Sequence, residues 1–292
     1  MSMRFRLGTA AMAISCFTAV SFAAPIPVLE FKFNGTGTTA ENTGSLSSVT
    51  NAGMVNENNV ATDLHSAPGG GVTGDTADRS FQNSFNGSTN LGGRVKLSET
   101  PSSLNGSTAI TITGWYKTNY ATIPQDHNQY LVDLGFSAGA TAGVNIVFDT
   151  SNRLKFQLYS AVDGKSTLST TETDFDDTQV WVFFAATYDS AVSGENNMKI
   201  YKGGAADSVA LITGAELTHQ AIAITPLKEF AIGNASGSNV SPVDGDMDNI
   251  RIFNSALTQE ELEAVRASDV PEPATVAWVT TGLIGSLLFR RR

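Results

Sequence analysis

The densest group of side chains that could perform acid–base chemistry is the segment 172–177, Glu-Thr-Asp-Phe-Asp-Asp. In an extended strand, side chains alternate between two sides, so Glu172, Asp174 and Asp176 would share one side. Hydrolysis of a glycosidic bond needs two carboxylates on one face, about 5–5.5 Å apart in retaining enzymes. The segment is therefore the candidate site for glycoside hydrolase activity.

Aromatic side chains are the candidates for carbohydrate binding, which combines aromatic platforms with Asn, Asp and Gln side chains. Trp115 and Trp181 belong to strand-like segments, whereas Trp278 lies near the C-terminus. Four tyrosines are looser candidates: Tyr116, Tyr120, Tyr130 and Tyr159. The sequence defines no cluster among them, so no ligand-binding residue is assigned from sequence.

Transition-metal and thiolate sites find no support in the sequence. The three histidines, His65, His127 and His219, lack a ligand spacing such as His-x-x-x-His. We therefore interpret each as a surface or loop residue. The single cysteine, Cys16, lies in a predicted export signal, so the mature domain is expected to contain no disulfide.

The elements that must position these residues are short strands. Runs of β-branched and aromatic residues alternate with Gly, Asn, Ser and Asp clusters, which is typical of an antiparallel sandwich. We predict a hairpin turn at Asp149–Arg153 and long loops with a few short strands over residues 34–80. The predicted strands are Val28–Phe33, Ala109–Thr118, Tyr130–Phe136, Val144–Asp149, Leu154–Ser160, Val180–Tyr188, Met198–Tyr201, Glu229–Ile232 and Met247–Phe253.

One helix is predicted at the end of this domain. Thr258 and Glu261 have the spacing of a capping box, in which each side chain bonds the backbone N–H of the other residue. Leu257 and Leu262 occupy the positions of a hydrophobic staple. Leu262 and Val265 share a face that can dock on the edge of the sandwich.

The charge balance excludes one class of partner. The chain has 292 residues, 41% of them apolar, and a net charge of −10. Two of its 18 basic residues lie in the N-terminal leader and three at the C-terminus; without these five, 13 basic residues face 28 acidic ones, a net charge of −15. Such a surface repels nucleic acid and suits divalent cations.

Both ends carry the patterns of targeting segments. Arg4 and Arg6 precede an apolar run, and Ser21-Phe22-Ala23 offers small residues at a cleavage position, so residues 1–23 are predicted to be a secretory signal peptide. Near the C-terminus, an uncharged stretch at residues 274–289 is followed by three arginines. This short transmembrane segment would span only about 24 Å as a helix, and its arginines would stay in the cytoplasm.

Pro271, Glu272 and Pro273 stand directly before that stretch. The order Pro-Glu-Pro, apolar segment, basic cluster resembles the PEP-CTERM sorting signal of Gram-negative exopolysaccharide producers. The resemblance covers about the last 23 residues and implies transient retention in the inner membrane and processing by an exosortase. A plain C-terminal membrane anchor is the alternative. The resemblance predicts a final location at the cell surface or in the extracellular matrix.

Five segments of the middle occur in the order found in another family. They are Phe85–Ser88, Ile112–Tyr116, Trp181–Asp189, Met198–Gly204 and Gly245–Asn254 with the helix after it. Together they resemble the laminin-G-like, or concanavalin A-like lectin/glucanase, domain over about residues 28–268. The resemblance implies an all-β fold, a two-sheet antiparallel jelly-roll sandwich. One short helix would lie on the domain, with a separate hydrophobic helix in the tail.

The resemblance also bears on the candidate residues. It places Trp115 and Trp181 on strands, so both are expected in the core. It places segment 172–177 in a solvated loop, and related glucanases carry glutamate where Asp176 or Asp177 stands. Many relatives hold a structural calcium between the first and last strands. Asp248 matches the aspartate ligand, with Glu30 and Asn34 as further expected ligands and Asp246 as an additional candidate; Asn34 stands where several relatives carry Asp.

These observations predict a signal peptide at 1–23, a laminin-G-like domain at 24–268 and a sorting tail at 269–292. The predicted function is non-catalytic: a cell-surface or matrix protein that binds a glycan or another surface protein. The alternatives are a divergent glycoside hydrolase with its carboxylates on the concave sheet, and a structural matrix component without a specific ligand. No catalytic residue is assigned.

Overall fold

The structure, a computed structural model, describes residues 23–83, 91–97, 101–119, 127–135, 143–160, 164–192, 196–219, 223–224 and 230–270. Several predictions fall outside these ranges and stay predictions. They concern most of the signal peptide, Cys16, the turn at Phe85–Ser88, Tyr120 and the tail from Pro271 onward.

The described chain forms strands, one short 3-10 helix at Ser102–Leu104 and the α-helix α1 at Gln259–Ala267. The strands are β1 Leu29–Phe31, β2 Thr39–Glu41, β3 Asn51–Val55, β4 Phe81–Asn83, β5 Arg94–Leu97, β6 Ala109–Thr118, β7 Gln129–Leu134, β8 Gly143–Phe148, β9 Leu154–Ser160, β10 Gly164–Ser169, β11 Val182–Asp189, β12 Met198–Gly204, β13 Ala210–Leu217, β14 Phe230–Ile232 and β15 Gly245–Phe253.

The strands build two antiparallel sheets. Sheet A has the order β1-β15-β6-β11-β12-β13, with β4 also paired to β15. Sheet B has the order β10-β9-β8-β7-β14-β5-β3-β2. The last strand, β15, lies beside the first, β1, which shows that the sheets close by long-range pairing. The predicted all-β, two-sheet jelly-roll sandwich with one short helix is confirmed.

The main core lies between the sheets. Alternate residues of each strand point inward, as period-two patterning requires. On sheet A these include Ile112 and Phe184, and on sheet B they include Ile146 and Phe156, all fully buried in one continuous cluster. Because both sheets contribute one apolar face, their opposite faces are left for other contacts.

A second apolar cluster, the outer cluster, covers part of the outer face of sheet A. Trp115 and Phe183 pack edge to face there with ring centroids 5.4 Å apart. Leu262 and Val265 of α1 join them, which confirms the predicted docking face. The capping box is present as well: Thr258 Oγ1 accepts from the Glu261 amide, and Glu261 Oε2 accepts from the Thr258 amide.

A buried network of polar side chains ties the chain end to this face. The Arg251 guanidinium donates to both carboxylate oxygens of Asp269, each at 2.6 Å. Arg251 Nε also donates to Glu30 Oε1 at 2.7 Å, and Trp115 Nε1 donates to Asp269 Oδ2 at 2.9 Å. The network, here called the Asp269 latch, therefore joins β1, β6 and β15 to the residues after α1.

The predicted hairpin between β8 and β9 is confirmed. Asp149 Oδ1 accepts from the backbone N–H groups of Ser151 and Arg153, and Asn152 adopts the left-handed conformation with φ 58°. Residues 34–80 contain mainly loops with two short strands, as predicted. Among the described residues, no helix is long and apolar enough to cross a membrane.

Candidate functional site

The outer face of sheet B carries a continuous row of polar side chains. Asp133 of β7 lies opposite Asn145 of β8, which lies opposite Gln157 of β9, which lies opposite Thr167 of β10. Directly opposed residues on neighbouring antiparallel strands have Cβ atoms about 4.5–5.5 Å apart. We call these four residues the polar row.

Strand alternation explains why these four side chains point outward. The neighbours of Asn145 along its strand, Val144 and Ile146, both belong to the core between the sheets. The neighbours of Gln157, Phe156 and Leu158, do the same. A side chain between two inward-facing residues must face the other side. The same apolar pattern that builds the core therefore aligns the polar row.

The Asn145 amide is the most unusual group in this row. Its side chain is fully buried, yet neither its Oδ1 nor its Nδ2 has a hydrogen-bond partner among the described residues. Leaving a buried polar group unpaired costs about 1–3 kcal/mol. By contrast, Gln157 Nε2 donates to Thr167 Oγ1 at 3.3 Å, and Asp133 Oδ2 accepts from the Ser236 amide at 2.7 Å. Asn145 therefore has an acceptor and two donors that no residue in the described ranges uses.

Two tyrosines flank the polar row on the same face. Tyr130 pairs with Val147, and Tyr159 pairs with Lys165, whose Nζ lies 5.5 Å from the Tyr159 ring centroid. Both phenols are half-buried. Burial raises the pKa of Tyr159 to about 12, and Tyr130 adds to the shift. Burial, followed by the charge of Asp133, raises the pKa of Tyr130. Both rings therefore stay neutral at physiological pH.

The combination of groups suits a sugar better than a reaction. A carboxylate, two amides and two aromatic rings supply hydrogen bonds to hydroxyls and apolar surfaces for pyranose faces. Glycoside hydrolysis would need a pair of carboxylates. Within the described strands β7, β8, β9, β10 and β14, Asp133 is the only acidic residue. These five strands of sheet B thus offer one carboxylate rather than two.

The acidic segment 172–177 contains no strand: residues 172–175 form a turn, and the next two residues are irregular. Asp174 Oδ2 accepts from the Thr171 amide at 2.6 Å, and Asp177 forms an ion pair with Lys202. The charged loop expected for this segment is confirmed. Its side chains do not follow strand alternation, so the geometric basis for placing Glu172, Asp174 and Asp176 on one side is absent.

The residues expected to bind calcium are committed to protein partners. Glu30 contacts the Arg251 guanidinium and accepts from the Thr43 hydroxyl at 2.6 Å. Burial opposes ionisation of Glu30, but Arg251 and Thr43 outweigh it and hold its pKa below the usual range. Asn34 Oδ1 accepts from the Arg79 amide at 2.9 Å.

Asp248 is fully buried on the outer face of sheet A. Its Oδ2 accepts from the Val72 amide at 3.0 Å and its Oδ1 from the Asn249 amide at 2.7 Å. Burial raises its pKa well above the usual range, despite the Val72 amide, and the charge of nearby Asp78 raises it further. No group of three or more His, Cys, Asp or Glu suited to a metal occurs in the described part of the chain.

Asp248, Glu30 and Asn34 therefore do not fit a shared calcium site in this arrangement, because a guanidinium occupies Glu30 and protein amides occupy the other two side chains. The additional candidate, Asp246, is paired with Lys117 at 2.7 Å. Calcium binding at Asp248 itself stays a prediction.

The structure also tests the predicted locations of the tryptophans, histidines and tyrosines. Trp115 is fully buried, as expected, whereas Trp181 is only partly buried and lies one residue before β11. The histidines lie outside the strands but are not on the surface: the His65 side chain is 1% exposed, and His127 and His219 are buried. Tyr130 and Tyr159 are brought to one face, while Tyr116 faces the core.

Comparison with known proteins gives the following matches. A family model described as the concanavalin A-like lectin/glucanases superfamily, of the laminin-G type, matches residues 88–263. A search of curated proteins found no match.

Solved structures with similar folds include domain 4 of AbnA, a GH43 extracellular arabinanase from Geobacillus stearothermophilus, in complex with arabinotriose. It is 13% identical with a TM-score of 0.53, covering 83% of this chain and 99% of that one. The receptor-binding domain of botulinum neurotoxin mosaic serotype C/D is 11% identical with a TM-score of 0.53, and the match covers 83% of this chain and 51% of that one. The CBM40 of a Ruminococcus gnavus sialidase bound to sialyllactose is 17% identical with a TM-score of 0.47, covering 66% and 95%.

Proposed function

This chain belongs to the concanavalin A-like lectin/glucanases superfamily, and from that premise we propose that it is a non-catalytic carbohydrate-binding protein. The polar row, in which Asp133, Asn145 and Gln157 are buried in this structure, is the proposed binding site, with Tyr130 and Tyr159 beside it. The observation that carries the proposal is the buried Asn145 amide, which has no partner among the described residues. Sugar hydroxyls both donate and accept hydrogen bonds, so one sugar residue can satisfy both amide atoms.

Two further observations support this proposal. The AbnA domain, which shares the fold, was solved with arabinotriose, so a sandwich of this kind accommodates an oligosaccharide. The same five described strands of sheet B contain a single acidic residue, Asp133, which favours binding over hydrolysis. A divergent glycoside hydrolase remains the competing hypothesis, and measured release of reducing sugar would support it.

Retention in native gels that contain a soluble polysaccharide tests the proposal. Mixed-linkage β-glucan, arabinan, dextran and alginate form the panel. Asn145→Ala and Gln157→Ala are expected to weaken retention by about tenfold in apparent Kd, since each removes hydrogen bonds to the ligand. Asn58→Ala, which removes an exposed amide from a loop, is the matched control. Unchanged retention of both row variants would rule out the polar row as the site.

The cellular setting is proposed from the sequence. The leader at 1–23 would export the chain, and Pro271, Glu272 and Pro273 would direct processing by an exosortase after transient retention in the inner membrane. The mature protein would then act at the cell surface or in the extracellular matrix, on a glycan or on a glycan-bearing surface protein. Mass spectrometry of the mature C-terminus tests this: an intact Arg292 would support a plain anchor instead.

A further inference from the structure

A groove opens at the end of sheet A where β11 begins and β12 ends. Its volume is about 910 Å³, which falls in the range of small-molecule binding sites. The turn before β11, the end of β12 and the start of the edge strand β13 form its walls. We call it the Trp181 groove, because Trp181 is the aromatic side chain that lines it.

Trp181 is held in place from one side. Lys117 Nζ lies 4.8 Å from the centroid of the indole ring. Lys117 is itself fixed by Asp246, whose carboxylate lies 2.7 Å from Nζ. The indole also packs partly against the outer cluster. A large aromatic side chain that is partly exposed in a groove and fixed by its neighbours loses little conformational freedom when a ligand binds.

The charged groups of the groove favour a ligand with hydroxyl donors. Both lysines that line it are neutralised, Lys117 by Asp246 and Lys202 by Asp177. Asp207 also lines the groove, is exposed, and its carboxylate accepts no hydrogen bond from any residue in the described ranges. A carboxylate with free lone pairs accepts from hydroxyls and repels an anionic ligand.

Two glycines and one residue with a left-handed backbone also line the groove. Gly203 and Gly204 line it, and a Cβ built on Gly204 would stand 3.0 Å from Asp207 Oδ2. Gln179, another lining residue, adopts the left-handed conformation with φ 61°. A non-glycine residue in this region is strained, and such strain persists where the surrounding structure imposes it, often at binding sites.

We infer that the Trp181 groove is a second carbohydrate subsite, selective for neutral sugars. The inference deepens the proposed function and rests on it for the class of ligand. Trp181 would stack on the apolar face of a sugar ring, while Asp207 and the Gln179 amide would bind its hydroxyls. The groove and the polar row belong to different sheets, so each can hold its own segment of polysaccharide, and binding at both raises the avidity.

The experiment measures retention of the full chain in native gels containing mixed-linkage β-glucan, arabinan or dextran, with alginate as the anionic probe. Trp181→Ala and Asp207→Ala are made in the wild type and in Asn145→Ala. Asp75→Ala, which removes an exposed carboxylate that does not line the groove, is the control. Thermal unfolding of each variant checks that it is folded. Asp207→Ala keeps the test decisive if Trp181→Ala fails to fold.

The expected result is a two- to tenfold weaker apparent Kd for the neutral gels in both groove variants, and no change in alginate. In the Asn145→Ala background, Trp181→Ala should abolish the retention that is left. Folded groove variants that bind neutral gels like their parents would overturn the inference and leave the polar row standing. If Trp181→Ala weakens retention in the neutral gels and Asn145→Ala does not, the polar row is rejected as a binding site instead. A wild-type chain that no neutral gel retains would overturn both.

Discussion

Asn145 combines two properties that seldom occur together in a folded protein: complete burial and an amide with no partner in the described structure. A structural role for this side chain would show itself as hydrogen bonds to neighbouring backbone groups, as Asn83 makes to the carbonyl oxygens of Gly93 and Gly233. Asn145 makes none of these. The protein gives up some conformational stability here for hydrogen-bonding groups that no described residue uses, which is the expected trade-off at a binding site.

The first prediction follows from this residue. Asn145→Leu replaces the amide by an apolar group of similar size, so it removes the unpaired buried donor and acceptor. We expect the free energy of unfolding to rise by about 1 kcal/mol, measured by urea denaturation, while polysaccharide retention falls. Asn83→Leu, which breaks three hydrogen bonds, should destabilise instead. A marked loss of stability in Asn145→Leu would show that the amide has a structural partner.

Asp149 gives a prediction for pH dependence. Burial opposes its ionisation, but Lys155 and Arg153 and two backbone amides outweigh this, so its pKa lies below the usual range. A depressed folded-state pKa contributes stability above the unfolded pKa of about 3.9 and loses it as the pH falls through the folded value.

The stabilisation of the wild type over Asp149→Asn should therefore be largest near pH 6 and should shrink below about pH 4. Thermal unfolding of both proteins from pH 6 to pH 2.5 measures the difference. A difference that stays constant across this range would contradict the assigned role of the Asp149 carboxylate.

At the scale of elements, the Asp269 latch fixes the segment after α1 to three strands. Removing one member of a buried ion pair leaves the other charge uncompensated, which costs about 3–5 kcal/mol. Asp269→Ala should therefore lower the free energy of unfolding by about that amount in urea. Asp207→Ala, at an exposed carboxylate, is the control and should change it by less than about 0.5 kcal/mol. Comparable stability of both variants would show that Arg251 finds adequate partners without Asp269.

The sequence predicts elements where local patterns suffice. The long strands β6 and β11, the helix α1 with its capping box and the β8–β9 turn all follow from alternation, capping and turn chemistry. The weaker strands β10 and β13 were missed, because they are rich in Ser, Thr, Gly and Ala and owe their conformation to their neighbours. Trp181 was expected in the core, but its position just before β11 leaves it at the end of the sheet.

The candidate sites could not be predicted from sequence, because they depend on which strands pair and in which register. Tyr130 and Tyr159 could be named singly from sequence, but nothing local to either shows that they flank the same row. Asn145 and Gln157 carry no signal beyond their alternation with apolar neighbours, because strand partners are set by pairing across the sheet. Similarly, the Arg251 guanidinium bonds to Glu30 and Asp269, and no local pattern indicates either partner. Long-range pairings of this kind are not encoded in spacing along the chain.

At the scale of the whole molecule, the calcium site expected from the family resemblance can be tested directly. Addition of 1 mM calcium should leave Tm unchanged relative to EDTA, because Glu30 and Asn34 are bound to protein groups and do not converge on Asp248. Differential scanning fluorimetry measures this. A calcium-dependent rise of several degrees that Asp248→Asn abolishes would instead establish a site at Asp248, and would imply that its ligands lie in parts of the chain other than Glu30 and Asn34.

The position of the Asp269 latch governs how the protein would be oriented on a cell. Asp269 is fixed to the outer face of sheet A by Arg251 and Trp115, and the uncharged stretch begins at Ala274, five residues later. Five residues reach at most about 18 Å. If that stretch is inserted in a bilayer, as the sequence predicts, the helix-bearing side of the sandwich would lie toward the lipid. The polar row, on the other side of the sandwich, would then face away from the membrane.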